Sequence, residues 1–322
     1  MWLIRWRRVL PGLILLAGIS GGAVTPVAAK SDSTLTSVGS DTLQQLMQLW
    51  GEEYRRRNPT VNFQIQSIGS STAPVALIEG TAQLGPMSRA MRQAELQQFA
   101  ERFGYLPTAV PVAIDLLAVY VHPDNPLTQI SLQQLDAIFS VNRRCGGAAD
   151  IQRWGQLGLA GHWQQRFISM YSRNSVSGTY GYFKQHVLCN GDLKARTNQL
   201  AGSSAMLRAI SQSVAGIGYS GIGYATHNVK VLPIITADGQ AVAPTAANAL
   251  SGDYPLARQL YIYVNKPPGQ PLTADELAFF DLVLSVTGQQ LVLQDGFLPL
   301  PAEIVSNWRQ VLGLAALPEQ LE

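Results

Sequence analysis

A two-lobed α/β fold, each lobe a mixed and mainly parallel sheet flanked by helices, follows from three features of the sequence. Between Ser33 and Phe103 a strand, a tight polar turn and a helix recur three times. Two long apolar segments, Val110–Val121 and Gln259–Val264, stand far apart in the chain and read as paired crossings between lobes. A chain of 322 residues also exceeds what one hydrophobic core ordinarily supports.

The amino-terminal segment sets the compartment. Arg5, Arg7 and Arg8 precede an apolar run from Val9 to Ile19, and Val27-Ala28-Ala29 places small residues where a signal peptidase cuts. The run is shorter than the roughly 20 residues of a membrane span, and no other stretch is longer. Residues 1–29 are therefore expected to be a cleaved leader, with export to the periplasm and a mature chain starting near Lys30. An uncleaved anchor is the competing reading, and no Cys follows to accept a lipid.

Removing that leader leaves 20 Lys+Arg against 21 Asp+Glu, a net charge of −1. A nucleic-acid partner calls for a basic stripe, and the sequence has none. An anionic ligand would have to be held by local dipoles instead. Cys145 and Cys189 are the only cysteines, and in an oxidising compartment they are expected to form one disulfide, two buried thiols being the alternative. The four His residues show no ligand spacing, so no metal site or cofactor is expected.

Each element has its own signal. Leu35–Val38 reads as a short strand ending in Gly39-Ser40-Asp41-Thr42. The next helix has Leu43, Leu46, Met47, Trp50 and Tyr54 on one face and stops at Asn58-Pro59. Val61, Phe63 and Ile65 alternate with polar residues, as in a strand with one buried face. Gly69-Ser70-Ser71-Thr72 leads to a helix through Ile78, and a strand end at Gln83–Pro86 leads to Met87-Ser88-Arg89. The helix after that presents Leu96, Phe99 and Phe103. Asp115 interrupts the first crossing strand. Ser131…Gln134 and Thr273…Glu276 have capping-box form and should each open a helix.

Three Ser/Thr/Gly clusters stand where strands hand over to helices: Gly39–Thr42, Gly69–Thr72 and Ser177-Gly178-Thr179. A helix N-terminus offers unpaired N–H groups and a partial positive charge, which suits an anion. Hydroxyls add donors that adapt to the ligand, and Gly178 permits close backbone approach. Singly, each cluster is an ordinary cap or turn. Arg89 and Arg173 can donate paired hydrogen bonds to an oxyanion, or can serve in ordinary ion pairs. Asp41 repels a bound anion unless that anion brings a proton to donate, as hydrogen phosphate does and sulfate does not. Its other reading is a cap for the helix that follows.

Gly216-Ile217-Gly218-Tyr219-Ser220-Gly221 fits the dinucleotide pattern GxGxxG, but more glycine and β-formers follow where a helix is required. It reads as a buried strand and turn. Ser177 lacks the GxSxG flanks of a nucleophile elbow, and no His falls in a triad context. No enzymatic activity is expected.

These segments resemble the periplasmic phosphate-binding proteins of phosphate ABC transporters over nearly the whole mature chain. The stretches that carry the resemblance are RNSVSGTYGYFK from Arg173, VGSDTLQQLM from Val38, IGSSTAP from Ile68, GPMSR from Gly85, VPVAIDLLAVYVH from Val110 and AGIGYSGIGY from Ala215. The resemblance implies the type II periplasmic-binding fold, with lobe 1 from 30–115 and 263–322, lobe 2 from 116–262, and inorganic phosphate in the cleft. It implies a monomer that serves an ABC permease in the inner membrane. Matched position by position, Ser40, Asp41, Thr42, Ser70 and Ser71 would bind phosphate from one lobe, and Arg173, Ser177, Gly178 and Thr179 from the other. Ser88 and Arg89, also expected to bind phosphate, occupy a turn where well-known members carry Asp, and Ser175 stands where they carry a second one. Asp41 is then the remaining acceptor for a ligand proton. The competing readings are a binder of another oxyanion, such as sulfate or molybdate, and a secreted phosphatase-like enzyme using Ser177.

Overall fold

The computed structural model describes residues 33–317; the leader assigned to residues 1–29 lies outside them. Three strand–turn–helix units come first: β1 (Ser33–Val38) and α1 (Gln44–Arg57), β2 (Val61–Gln66) and α2 (Ala73–Ile78), β3 (Gly85–Met87) and α3 (Gln93–Phe103). The long β4 (Thr108–Val121) leads to β5 (Ile130–Ser131), α4 (Leu132–Phe139), β6 (Ser169–Arg173), α5 (Gly178–His186), β7 (Asn198–Leu200), α6 (Ser203–Ser211) and β8 (Gly216–Gly221). Short β9 (Lys230–Leu232), β10 (Ile234–Ile235), β11 (Ala241–Val242) and α7 (Ala246–Leu250) precede β12 (Ala257–Val264), and α8 (Ala274–Val283), α9 (Val286–Gln294) and α10 (Ala302–Leu312) close the chain.

Local chemistry accounts for the boundaries. The apolar stripe of α1 buries Leu46, Met47, Trp50 and Tyr54, while Arg55, Arg56 and Arg57 occupy its last turn, where the helix dipole favours cations. Both capping boxes form. Gln134 N donates to Ser131 Oγ at 3.1 Å and Ser131 N to Gln134 Oε1 at 2.9 Å. Thr273 N donates to Glu276 Oε2 at 2.9 Å, with the return bond from Glu276 N at 3.4 Å. The glycine-rich segment is the fully buried strand β8, and a 3₁₀ turn at Ile222–Tyr224 follows it. That is a strand and a turn, with no helix to receive a pyrophosphate.

One sheet runs through the molecule in the order β3-β12-β4-β8-β6-β7, with β9 also paired to β4. The front half of β4 pairs with β12 and the back half with β8. β1 and β2 form a separate parallel pair, joined to the segment before β3 by a Ser37–Leu84 bridge. Parallel pairing is less prevalent than the strand–turn–helix pattern suggests. β1–β2, β5–β10, β6–β7 and β6–β8 are parallel, whereas every neighbour of β4 and β12 is antiparallel. For the β4–β12 pair the reason is that one strand leaves the first core and the other returns to it, so the two crossings run in opposite directions.

Apolar side chains gather into two large cores. One contains Trp50, Phe63, Val112, Ile262, Phe279 and Phe280, and the other Leu117, Val119, Phe139, Trp154, Phe183 and Leu256. The changeover falls between Ala113 and Leu116 on β4 and between Leu256, just before β12, and Leu260 within it. Burying each large side chain contributes roughly 1.5–3 kcal/mol, so each lobe has its own source of stability.

Cys145 and Cys189 are joined, closing a 44-residue separation within the second core's part of the chain. Asp136 on α4 organises that loop, its Oδ2 accepting from the backbone N of Cys145 at 2.7 Å and of Gly147 at 3.2 Å. Replacing both cysteines by Ser should lower unfolding free energy by about 4 kcal/mol on the loop-entropy argument. Urea titration of the oxidised protein and the variant measures it, and two alkylatable thiols in the untreated protein would show that the bond does not form.

Candidate functional site

The turn between β1 and α1 is fixed from beneath. Ser40 N donates to Pro86 O at 2.7 Å and Thr42 N to Ser40 Oγ at 3.2 Å, so the Ser40 amide and a lone pair of its hydroxyl shape the turn while the O–H is left to donate. The residue that caps α1 is Leu43, and no side chain closes that cap. Asp41 is thus not a helix cap. Its carboxylate turns toward β6, where Oδ2 pairs with the guanidinium of Arg173. Arg173 is 0% exposed and Asp41 6%. Arg173 Nη1 donates to Ser203 Oγ at 2.8 Å, while Arg173 Nε and Asp41 Oδ1 have no protein partner. Burial draws the Arg173 pKa down to about 10, which still leaves it charged at neutral pH.

Two further turns close over the same place. Ser88 N donates to Ser70 Oγ at 3.0 Å, and the two hydroxyls lie 3.3 Å apart. Gly178, the first residue of α5, sits against them. A Cβ at Gly178 would lie 2.1 Å from Ser70 Oγ and 2.5 Å from Ser88 Oγ, so no other residue fits without displacing the turns. Thr179 Oγ1 meets Thr42 Oγ1 at 2.8 Å. Gly69 adopts φ +149° beside Val176 O, and Ser71 N donates to that same carbonyl at 3.1 Å. Asp41, Thr42, Ser70, Ser88, Arg173, Gly178 and Thr179 therefore converge, drawn from three turns on one side and from β6 and α5 on the other.

Other candidates lie differently. Arg89 is buried, but its guanidinium makes a two-pronged pair with Glu95, at 2.7 Å for each nitrogen, and donates to Ala90 O and Ser71 Oγ. Its charge is spent at the start of α3, where Glu95 also accepts from Arg92 N. Arg89 thus shapes the turn through both terminal nitrogens, with Ser71 turned toward it, while its Nε has no protein partner. Ser177 acts as the cap of α5, its Oγ accepting from Tyr180 N at 3.4 Å.

Three residues at the cluster went unassigned in the sequence reading. Tyr224 donates its hydroxyl to Thr42 O at 2.9 Å and Asp41 O at 3.2 Å, holding the first turn from the other side. Asp115 and Arg258 form a second buried ion pair beside Ser88 and Thr179. Asp115 had a visible signal, a carboxylate inside an apolar strand. Tyr224 closes the AGIGYSGIGY stretch that carries part of the family resemblance, but Arg258 had no signal, because long-range pairing alone brings it here.

The arrangement is suited to a small oxyanion. It offers a fixed cation, hydroxyl donors and the first turn of α5, whose N–H groups have no intrahelical partner. Asp41 Oδ1 is one acceptor among those donors. Among the described residues no three His, Cys, Asp or Glu side chains come together as a metal site.

Residues 24–286 match the PBP superfamily domain. The phosphate-binding protein PstS of Pseudomonas aeruginosa is 54% identical over 288 residues, covering 89% of each chain. Protein SphX of Synechococcus elongatus is 28% identical over 284 residues, covering 86% of this chain and 80% of its own. In fold, the chain is similar to an ABC-type phosphate transport receptor from Vibrio cholerae, at a TM-score of 0.66 and 22% identity, covering 83% of this chain and 100% of that one. A phosphate-binding protein from Stenotrophomonas maltophilia aligns at a TM-score of 0.62 and 15% identity, covering 86% and 93%. The two cores joined by β4 and β12 are the two lobes of that fold, and the chain belongs to the PBP superfamily, within the family of PstS phosphate-binding proteins.

Proposed function

We propose that this protein captures inorganic phosphate between its lobes and delivers it to an ABC permease in the inner membrane. It does so as a periplasmic monomer after losing residues 1–29. Lobe 1 comprises residues 30–115 and the chain from Leu260 onward, lobe 2 comprises the chain from Leu116 to Leu256, and the crossings act as hinges. The return crossing lies a few residues earlier than position 263, because Leu260 and Ile262 pack in the first core. Phosphate is held by Ser40, Asp41, Thr42, Ser70 and Ser88 from lobe 1 and by Arg173, Gly178 and Thr179 from lobe 2. The observation that carries this reading is the buried Asp41–Arg173 pair, with one carboxylate oxygen and one guanidinium nitrogen left unpartnered amid the converging turns.

The pair supplies both halves of a recognition rule. Arg173 attracts the anion, and Asp41 selects among anions by proton count. Hydrogen phosphate can donate to Oδ1. Sulfate cannot, and would leave a carboxylate facing a dianion with nothing between them. This favours phosphate, and its isostere arsenate, over sulfate or molybdate. The 54% identical relative named for phosphate binding supports the same choice. A phosphatase reading has little support, since the Ser177 hydroxyl is occupied as a helix cap.

Calorimetric titration with phosphate, arsenate, sulfate and molybdate tests the proposal. Phosphate and arsenate should bind with one site per chain and sulfate far more weakly; tighter binding of sulfate or molybdate would overturn it. Arg173→Ala should weaken phosphate binding by roughly 2 kcal/mol or more, as a charge-assisted contact is lost in a water-poor cleft. Arg89→Ala is the control, because Glu95 already neutralises that guanidinium, and it should affect melting more than affinity. Asp41→Asn should weaken phosphate modestly and relieve the repulsion of sulfate. The selectivity ratio should narrow at least tenfold, about 1.4 kcal/mol. An unchanged ratio would place the discrimination elsewhere.

A further inference from the structure

The second buried ion pair lies where the two lobes meet. Arg258 and Asp115 are direct partners in the antiparallel register of β12 and β4. Ala113 and Leu260 on one side belong to the first core, and Leu116 and Leu256 on the other belong to the second. Two charged residues, 5% and 0% exposed, thus occupy the one stretch of both crossings that neither core fills.

All three guanidinium nitrogens of Arg258 are used. Nε and Nη2 donate to Asp115 Oδ2 at 2.9 and 2.6 Å. Nη1 donates to Ser88 O at 2.8 Å, in the turn after β3. Nη2 also donates to Thr179 Oγ1 at 3.0 Å, in the first turn of α5. Thr179 in turn meets Thr42, and Ser88 meets Ser70. Asp115 Oδ1 accepts from Ile222 N at 3.2 Å, which ties in the turn that carries Tyr224. The Arg258 cation also lies 5.3 Å from the ring centre of Tyr182. One guanidinium therefore holds a turn from each lobe at once, and it is anchored on the strand about which the lobes move.

We propose that Arg258, braced by Asp115, is a positioning residue that latches the closed arrangement and sets how long phosphate stays bound. This inference rests on the phosphate reading above. Fixed in place by Asp115, Arg258 can hold both the Ser88 carbonyl and the Thr179 hydroxyl only while the two turns are close. Opening the cleft must break at least one of these bonds. A planar fork with several donors is required for this, which a lysine ammonium does not supply. Because the latch acts on closure rather than on first encounter, it should govern the rate of release and leave the rate of capture nearly untouched.

The experiment compares three proteins: wild type, Arg258→Lys, and the double variant Asp115→Leu/Arg258→Met. The double variant replaces the pair with apolar side chains, which buried pairs commonly tolerate without loss of stability. Each is loaded with radiolabelled inorganic phosphate, and dissociation is followed after dilution into unlabelled phosphate. Equilibrium titration then gives the association rate constant as the ratio of koff to Kd. Both variants should release phosphate at least about tenfold faster, with association within about threefold of wild type. In the double variant this should occur with a melting temperature near that of wild type, a split that a merely structural role would not produce. A folded double variant with the wild-type dissociation rate overturns the latch, as does an equal change in both rate constants. Failure of the wild type to bind phosphate overturns the phosphate reading and the latch together. It is distinguished by being seen before any substitution is made.

Discussion

β4 is 14 residues long and belongs to two hydrophobic cores. Its front half is pinned by β12 and its back half by β8 and β9, so the strand cannot shift register without moving a whole row of side chains to the wrong face. Everything at the cluster inherits its position from this arrangement. β6 lies next to β8 and carries Arg173 at its end, and β3 lies next to β12 and leads into Ser88. The loops are short and their anchors rigid, so a few turns can be brought together to within hydrogen-bonding distance from both sides of the molecule.

Electrostatics then decides what such a cleft can hold. A buried cation without a partner would be expensive, and so would a buried carboxylate. Pairing Arg173 with Asp41 leaves the cluster neutral while keeping one donor and one acceptor unpartnered. Arg258 with Asp115 repeats the solution a short distance away, and Arg89 with Glu95 repeats it at the start of α3. Three arginines near the cluster therefore bring three carboxylates with them. Anion attraction is local and directional, which suits a chain whose formal net charge is only +2 over 322 residues.

Much of this was legible before any coordinates. The alternation of Val61, Phe63 and Ile65, the stripe from Leu46 to Tyr54 and the two capping boxes each act within a few residues, and each element formed where its pattern lay. The convergence of the three Ser/Thr/Gly turns was also visible, because strand ends in such sheets lie together. What the chain order hid was partner choice. Arg89 and Arg173 look alike in sequence, yet Glu95 lies six residues from the first and neutralises it, while the second has no acid near it in the chain. Asp41 reads equally well as a cap or as an acceptor until α1 is seen to start at Gln44, too far along for Asp41 to close it. Arg258 owes its place to a strand partner 143 residues away, a separation that local pattern cannot span.

Gly178 lets α5 pack directly on the turns that follow β2 and β3. With backbone alone at that position, α5 comes to rest against the hydroxyls of Ser70 and Ser88, and nothing softer lies between them. Gly69 makes the matching approach against Val176. Two glycines on opposite faces thus let backbone meet a hydroxyl pair in one place and a carbonyl in the other, so that a side chain at either position would wedge the two sides apart.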